Sequence, residues 1–304
     1  MSISFKNFTV YDEERLQKYT NLRPTYISER QFINQFIWED FYQTKYYAND
    51  KFLIYVTHRK DTLIPMMPYC KHEDIKSVFT EIKDYWNNEL KMPLTMFFID
   101  KPFLEELKTI PSFEDEFEIV EDRDSFDYIY DANELKSLKG KRFHKKKNHL
   151  NRFLRTYEGR YEYKTINCNQ MDEIASFYQR WLENRGAEDV QDTLEYEDTG
   201  VRKVFQNCFD VNCKFGGVYV DGVLEAFSIG TYDEEIKCAF IHTEKANTKI
   251  SGLYNFINQQ FLINEFPDAE IVNREDDLGQ EGLRKAKLSY RPIRLEEKYY
   301  IKQK

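Results

Sequence analysis

The chain has 304 residues, with 44 Lys and Arg against 53 Asp and Glu, a formal net charge of −9, 11 glycines and 8 prolines. That length points to two domains, and the composition is that of a globular chain, which excludes a disordered or low-complexity one. The net charge excludes a general polyanion binder, so affinity for RNA or acidic lipid has to come from a local patch.

The N-terminal stretch MSISFKNFTVYDEER has no apolar core of signal-peptide length, and no run of about 18 apolar residues occurs. The sequence therefore predicts no leader and no membrane span, and a cytoplasmic location. Residues 28–48 read as an amphipathic helix with Ser28 as N-cap and Phe32, Phe36 and Phe41 near one face. Residues 51–58 and 62–69 read as a hairpin with a short connection around Arg59, Lys60 and Asp61. A helix over 73–90 carries Ile75, Val78, Phe79, Ile82, Trp86 and Leu90 inward; a buried strand (94–100), a helix opened by Pro102 and closing strands before Ala132 complete the first half. The second half repeats the theme. Helices over 170–184 and 199–210 precede three strands between 214 and 245, with a hairpin turn at Asp221-Gly222. A helix (251–266), a strand (269–275), a helix (281–290) and a final strand (293–302) follow. Antiparallel strands followed by crossing helices predict a mixed, largely antiparallel α/β sheet in each half. The five cysteines are odd in number, and only Cys208 and Cys213 lie close; reduced, mostly buried thiols are the expectation, and no metal site.

Between the halves, residues 131–160 read as a helix that Asp131 and Glu134 cap. From Lys136 to Arg160 there are ten Lys or Arg and one acid, Glu158. Phe143, Leu150, Phe153, Leu154 and Tyr157 recur at helical spacing, Gly140 weakens the early part and Gly159 is a natural stop. One stripe packs inward and the rest carries concentrated positive charge. RNA phosphates, lipid head groups and a nucleotide cofactor would each relieve the mutual repulsion.

Polar residues concentrate at two strand ends, 241–247 and 273–279, where ligands of α/β sheets tend to bind. Strand alternation puts His242 and Glu244 on one face and Thr243 and Lys245 on the other, and Arg284 and Lys287 share a face of the following helix. His242 or Glu244 is a candidate proton carrier; Arg274, Arg284 and Lys287 are candidates for an anionic group, with Asn273 and Asp276 orienting it. Acyl transfer to an amine needs such a set: a proton acceptor, a stabilised carbonyl oxygen and an anchor for the donor's anionic part. The same stretch also reads as a cap and turn, Asp277 with Gln280 and Gly279.

The segments LKGKRFHKKKNHLNRF, GVLEAFSIG, HTEKAN, SGLYNFIN and VNREDDLGQEGLRKAKLSYRP resemble the C-terminal domain family of phosphatidylglycerol lysyltransferases, closest to its stand-alone branch, over essentially the whole chain. The resemblance implies two tandem acetyltransferase (GNAT) domains, 1–133 and 161–304, joined by a basic helix at 134–160. It implies transfer of an amino acid from aminoacyl-tRNA to an amine or hydroxyl. It places Lys141, Arg142, Lys145, Lys146 and Lys147 at the tRNA, and Glu244, Lys245, Asn273, Arg274, Asp276, Arg284 and Lys287 around the reactive centre of the second half. The absence of a fused membrane part departs from the lysyltransferases and leaves the acceptor open between a small molecule, a peptide and a lipid headgroup met peripherally. The loop at 247–252 holds one glycine where coenzyme A enzymes carry several to cradle pyrophosphate. A coenzyme A-dependent acyltransferase and a non-catalytic RNA- or lipid-binding protein are the alternatives.

Overall fold

The computed structural model describes residues 3–59, 62–184 and 192–304. They form two compact units. One runs to Asp127 and includes Asp276–Gln280 and Glu296–Lys304; the other is Tyr128–Glu275 with Glu281–Leu295.

The first unit opens with α1 (Glu13–Thr20) and α2 (Phe32–Tyr42). The helix expected over 28–48 is shorter at both ends. Gln31, not Ser28, holds the N-cap position, and Gln43 adopts a left-handed φ of 49° that turns the chain into a strand. That strand, β1 (Lys45–Ala48), pairs with β2 (Phe52–Arg59), which also pairs with β3 (Thr62–Pro65) and β4 (Tyr69–Cys70). Lys60 and Asp61, where the hairpin connection is expected, lie outside the described residues. Next come α3 (Ile75–Asp84), β5 (Thr95–Asp100), α4 (Lys101–Lys108), α5 (Phe113–Glu116) and β6 (Phe117–Glu121). Of the stripe expected over 73–90, Ile75, Val78, Phe79 and Ile82 are buried on α3 and Trp86 is buried in the π-helical turn Tyr85–Glu89 that continues it, whereas Leu90, beyond that turn, is only half-buried. Asp100 caps α4 by accepting from the Phe103 N–H, which stops β5 and starts the helix within one residue.

The second unit begins with β7 (Asp127–Asp131), α6 (Ala132–Ser137), α7 (His144–Thr156), β8 (Tyr161–Ile166), α8 (Met171–Glu183) and α9 (Asp192–Gln206). The single helix expected over 131–160 is two. Asp131 caps the first by accepting from the Glu134 N–H. Leu138 then turns left-handed at φ 47° and Gly140 at φ 94°, which ends α6 and redirects the chain. The rest of the unit is β9 (Lys214–Val220), β10 (Val223–Asp233), β11 (Cys238–Ala246), α10 (Leu253–Glu265), β12 (Ile271–Asn273), α11 (Glu281–Leu288) and β13 (Arg294–Glu296). The β9–β10 turn is the expected one, with Asp221 and Gly222 both at positive φ.

Seven strands form its sheet in the order β13-β7-β12-β11-β10-β9-β8. The β11–β12 pair is parallel and the pairs from β8 to β11 are antiparallel. Successive residues of β10 face opposite sides. Ala226 joins the core that α7 and α10 cover through Leu150, Phe153, Leu253 and Ile257. Phe227 meets Phe177 and Tyr178 of α8 and Phe205 of α9.

The chain ends in β14 (Lys298–Gln303), which lies between β5 and β6 in the first unit. The final strand expected over 293–302 is thus split at Glu297 between two sheets. The expectation of reduced thiols is corrected for two of the five cysteines. A disulfide joins Cys168, just before α8, to Cys208, just after α9, while Cys70, Cys213 and Cys238 remain thiols. Spacing in sequence favours neighbours such as Cys208 and Cys213; here the packing of α8 against α9 brings together cysteines 40 residues apart.

Candidate active site

Strand β12 is short. Its ladder with β11 ends at the Phe240–Asn273 pair, while β11 runs six residues farther, to Ala246. Beyond Asn273 the chain leaves β11 but stays with β7, where the Arg274 N–H donates to the Tyr128 carbonyl and the Tyr128 N–H donates to that of Glu275. Two parallel strands therefore diverge at their carboxyl ends, the place where α/β sheets hold ligands.

Glu244 and Arg274 close on each other across that divergence. The guanidinium donates to Glu244 Oε1 at 3.0 Å, and the second carboxylate oxygen accepts from Asn258 of α10 at 3.2 Å. Side-chain exposures of 13% and 8% make this a buried pair, which persists only because its remaining polar atoms are satisfied. Burial works against the Arg274 charge, and Glu244, Tyr130 and Tyr290 override it, so its pKa stays above the ordinary guanidinium value. The guanidinium lies 5.0 Å from the centre of the Tyr290 ring, whose hydroxyl accepts from Asn255 of α10 at 2.8 Å. Burial first, with Glu244 adding, holds the Tyr290 hydroxyl protonated.

Lys146 of α7 also reaches this ring, its Nζ 3.8 Å from the centroid. Burial, helped by Arg274 and opposed by Glu244, pushes its pKa down to about 8. Its neighbours behave otherwise. Lys141, Arg142, Lys145 and Lys147 are exposed, and Arg142 pairs with Glu134.

His242 is the extra residue of a β-bulge, since Ile229 opposes Thr243 and Gly230 opposes Ile241. The bulge breaks the alternation expected to put His242 and Glu244 on one face. Ile241 packs with Phe261 and Leu262 of α10, and Glu244, three residues on, turns to α10 again. The buried His242 ring is engaged at both nitrogens, Nδ1 with Glu275 and Nε2 with Thr231, each at 2.8 Å. Asn273 is fully buried and accepts from the Glu275 N–H at 2.6 Å, which fixes the turn out of β12. Lys287 donates to the carbonyls of Arg274 and Glu275 at 2.6 and 3.2 Å, so this cation straps the same turn. Arg284 lies half-buried on α11. Lys245 points to the other face of the sheet, where it pairs with Glu197 of α9 at 2.6 Å and covers the Trp181 ring. Asp276 belongs to the first unit, where it accepts from the Leu278 N–H.

Of the expected residues, Glu244, Arg274 and Lys146 meet. His242, Asn273 and Lys287 brace the strand exit. Tyr130, Tyr290, Asn255, Asn258 and Glu275 are additions. A sequence signal for them exists: Asn255 and Asn258 stand three apart among the apolar residues Leu253, Phe256, Ile257, Phe261 and Leu262 of α10, and Lys146 falls on the 143, 146, 150, 153 stripe that faces the core. Gly252, the single glycine of the loop before α10, has φ 85°, and a Cβ there would stand 2.2 Å from the His149 carbonyl of α7. Among the described residues no group of three His, Cys, Asp or Glu forms a metal cluster, and no helix is long and apolar enough to cross a membrane.

A mixed α/β sheet whose parallel strands diverge at a polar cluster is the fold of tandem GNAT proteins. A tandem GNAT protein from the clavulanic acid biosynthesis pathway matches over 99% of this chain and 98% of its own, at TM-score 0.50 and 8% identity. The chain belongs to the family described as phosphatidylglycerol lysyltransferase, C-terminal, whose model matches residues 20–302. A conserved protein of unknown function from Bacteroides thetaiotaomicron is 31% identical over all of both chains, at TM-score 0.91. The C-terminal domain of a putative lysylphosphatidylglycerol synthetase from Agrobacterium fabrum is 14% identical, with 96% of this chain and 92% of that one covered and a TM-score of 0.66. An uncharacterized protein of Mycoplasmoides gallisepticum is 25% identical over 183 residues, 59% of this chain, and the match spans 56% of that relative's length.

Proposed function

We propose that this chain is an aminoacyltransferase whose second unit moves an amino acid from aminoacyl-tRNA to an amine or hydroxyl acceptor. The observation that carries the reading is the double use of one helix. Helix α7 presents Lys145 and Lys147 to solvent and turns Lys146, between them, into the buried Arg274–Glu244–Tyr290 cluster. A polyanion held on the exposed cations lies one helix away from the reacting centre. The fixed Arg274 charge is placed to stabilise the oxyanion that forms when the ester carbonyl is attacked, and Tyr290 and Asn258 hold it and Glu244 still. Family membership supports the transferase class, and the tight fit of Gly252 against α7 favours tRNA over coenzyme A, because that glycine serves packing.

The test is to incubate the protein with tRNA charged with labelled amino acids and a panel of amine, peptide and phosphatidylglycerol acceptors. The expected result is label on one acceptor class, with Arg274→Ala lowering the rate roughly 10²–10³-fold, the usual loss when an oxyanion stabiliser is removed. Transfer from acetyl-coenzyme A in place of aminoacyl-tRNA would overturn the donor assignment, and unchanged turnover by Arg274→Ala would overturn the site.

A further inference from the structure

We propose that Lys146, and neither His242 nor Glu244, takes the proton from the attacking acceptor; this deepens the transfer reading and rests on it. The other candidate proton carriers are occupied. Both His242 nitrogens are bound, to Glu275 and Thr231. Both Glu244 oxygens are bound, to Arg274 and Asn258. The amine of Lys146 has an aromatic ring against it and, among the described residues, no carboxylate paired to it. It is half-buried, so it remains open to a molecule entering the cluster.

Helical geometry places it there. Phe143, Leu150 and Phe153 are buried against α10, and Lys146 sits on the same stripe. An ammonium on such a stripe is costly, and the Tyr290 ring offsets only part of that cost. The charged groups that face it are Arg274 leaving β12 and Glu244 on β11, while α10 contributes the neutral amides Asn255 and Asn258 and the chain after α11 the neutral Tyr290. Burial and the Arg274 cation outweigh the Glu244 anion. The proton is held loosely, at about pH 8, the range in which a general base works near neutrality.

In the transfer step the acceptor's nitrogen or oxygen forms a bond to the ester carbonyl carbon. Its proton passes to the neutral Lys146 amine. The bond from that carbon to the tRNA ribose oxygen breaks, and the Lys146 ammonium returns the proton to this leaving oxygen. The products are an amide or ester and a free tRNA hydroxyl, with no other reactant consumed.

Lys146→Arg, which keeps the cation, and Lys146→Met, which keeps the stem, are compared with wild type in the charged-tRNA transfer assay and in binding of uncharged tRNA. The expected result is a loss of kcat of roughly 10²-fold or more in both, the scale of general-base catalysis, with KM and tRNA affinity within about 2-fold of wild type. The wild-type rate should rise with pH through an inflection near the Lys146 pKa that Lys146→Met lacks, and small primary amines should restore part of the rate to Lys146→Ala. Wild-type turnover by Lys146→Arg with an unmoved pH profile overturns the proposal. If wild-type protein transfers nothing from tRNA, the transfer reading fails and takes the proton step with it. Reductive ¹³C-methylation followed by NMR titration reads the amine independently of activity. A resonance missing in Lys146→Arg should titrate near pH 8, and a midpoint in the ordinary lysine range overturns the assignment even in an active enzyme.

Discussion

One ammonium, that of Lys298, sits between two carboxylates inside the first unit, Asp127 at 3.0 Å and Glu29 at 2.7 Å, with the Ser28 hydroxyl at 3.3 Å. All three charged side chains are at least nine-tenths buried. Burial works against the Lys298 charge, but Asp127, Glu29 and Asp276 hold it above its ordinary pKa. A single cation cannot neutralise two buried anions, and the surplus falls on Glu29, whose carboxyl burial pushes well above the usual range, with Asp127 adding and Lys298 opposing. A carboxyl with a raised pKa binds its proton more tightly folded than unfolded. The stability it lends is therefore complete below the ordinary carboxylate pKa and is lost as pH rises toward its folded value. Glu29→Gln keeps the shape and deletes the titration. Relative to wild type, the variant should gain stability steadily as pH rises from 5 to 8, by about 1–3 kcal/mol, the scale of an uncompensated buried polar group. Thermal melting of both proteins across that range checks it; a constant difference would show that Glu29 does not titrate there. The Lys298→Met variant, which strands both carboxylates, should lose about 3–5 kcal/mol at neutral pH in the same experiment.

At the scale of elements, the positive-φ glycines separate strain from collision. Gly222 in the β9–β10 turn has φ 78° and nothing within 4 Å of a built Cβ, whereas Gly252 has φ 85° and the His149 carbonyl in the way. Gly222→Ala should cost about 1–2 kcal/mol, the left-handed penalty alone. Gly252→Ala should cost clearly more and shift α7 off α10, which denaturant melts and hydrogen exchange of the α7 amides would register. Equal costs would mean that α7 yields freely. The same contrast explains what the sequence revealed. The Asp221-Gly222 turn, the α3 stripe and the Asp131 cap are local, written in spacing and residue type, and the structure has each. The exchange of strands is not local. Both β7, which closes no sheet of the first half, and β14, which pairs with β5 and β6, are decided by partners more than a hundred residues away in sequence. The bulge at His242 escaped for a related reason, because strict alternation reads one strand and a bulge is a property of two. The Glu244–Arg274 pair was legible as two polar strand ends, but Tyr290 and Asn258 become partners only when α10 and the chain after α11 are packed.

For the whole molecule, a net charge of −9 and a cationic α7 make opposite claims about polyanions. Coulomb forces between exposed charges fade over about 8–10 Å at physiological salt, so a phosphate at α7 feels its neighbouring lysines far more than the distant acids. Binding of uncharged tRNA should then be governed by the few phosphates that α7 and the turn Lys141–Phe143 before it neutralise. Replacing Lys141, Arg142, Lys145 and Lys147 by glutamine should flatten the slope of log affinity against log salt by roughly 2–3, at about 0.7–0.9 for each phosphate left without its cation and less for Arg142, which Glu134 already engages. The control is to replace four exposed lysines of the first unit, Lys18, Lys51, Lys76 and Lys101, which alters net charge by the same amount. If the patch binds, the control weakens affinity slightly and leaves the slope unchanged. If total charge decides, both sets shift affinity alike and neither changes the slope, and α7 then has no claim to the tRNA. Lys146 stays untouched in both sets, so the transfer rate at saturating tRNA should survive the α7 replacements even as affinity falls.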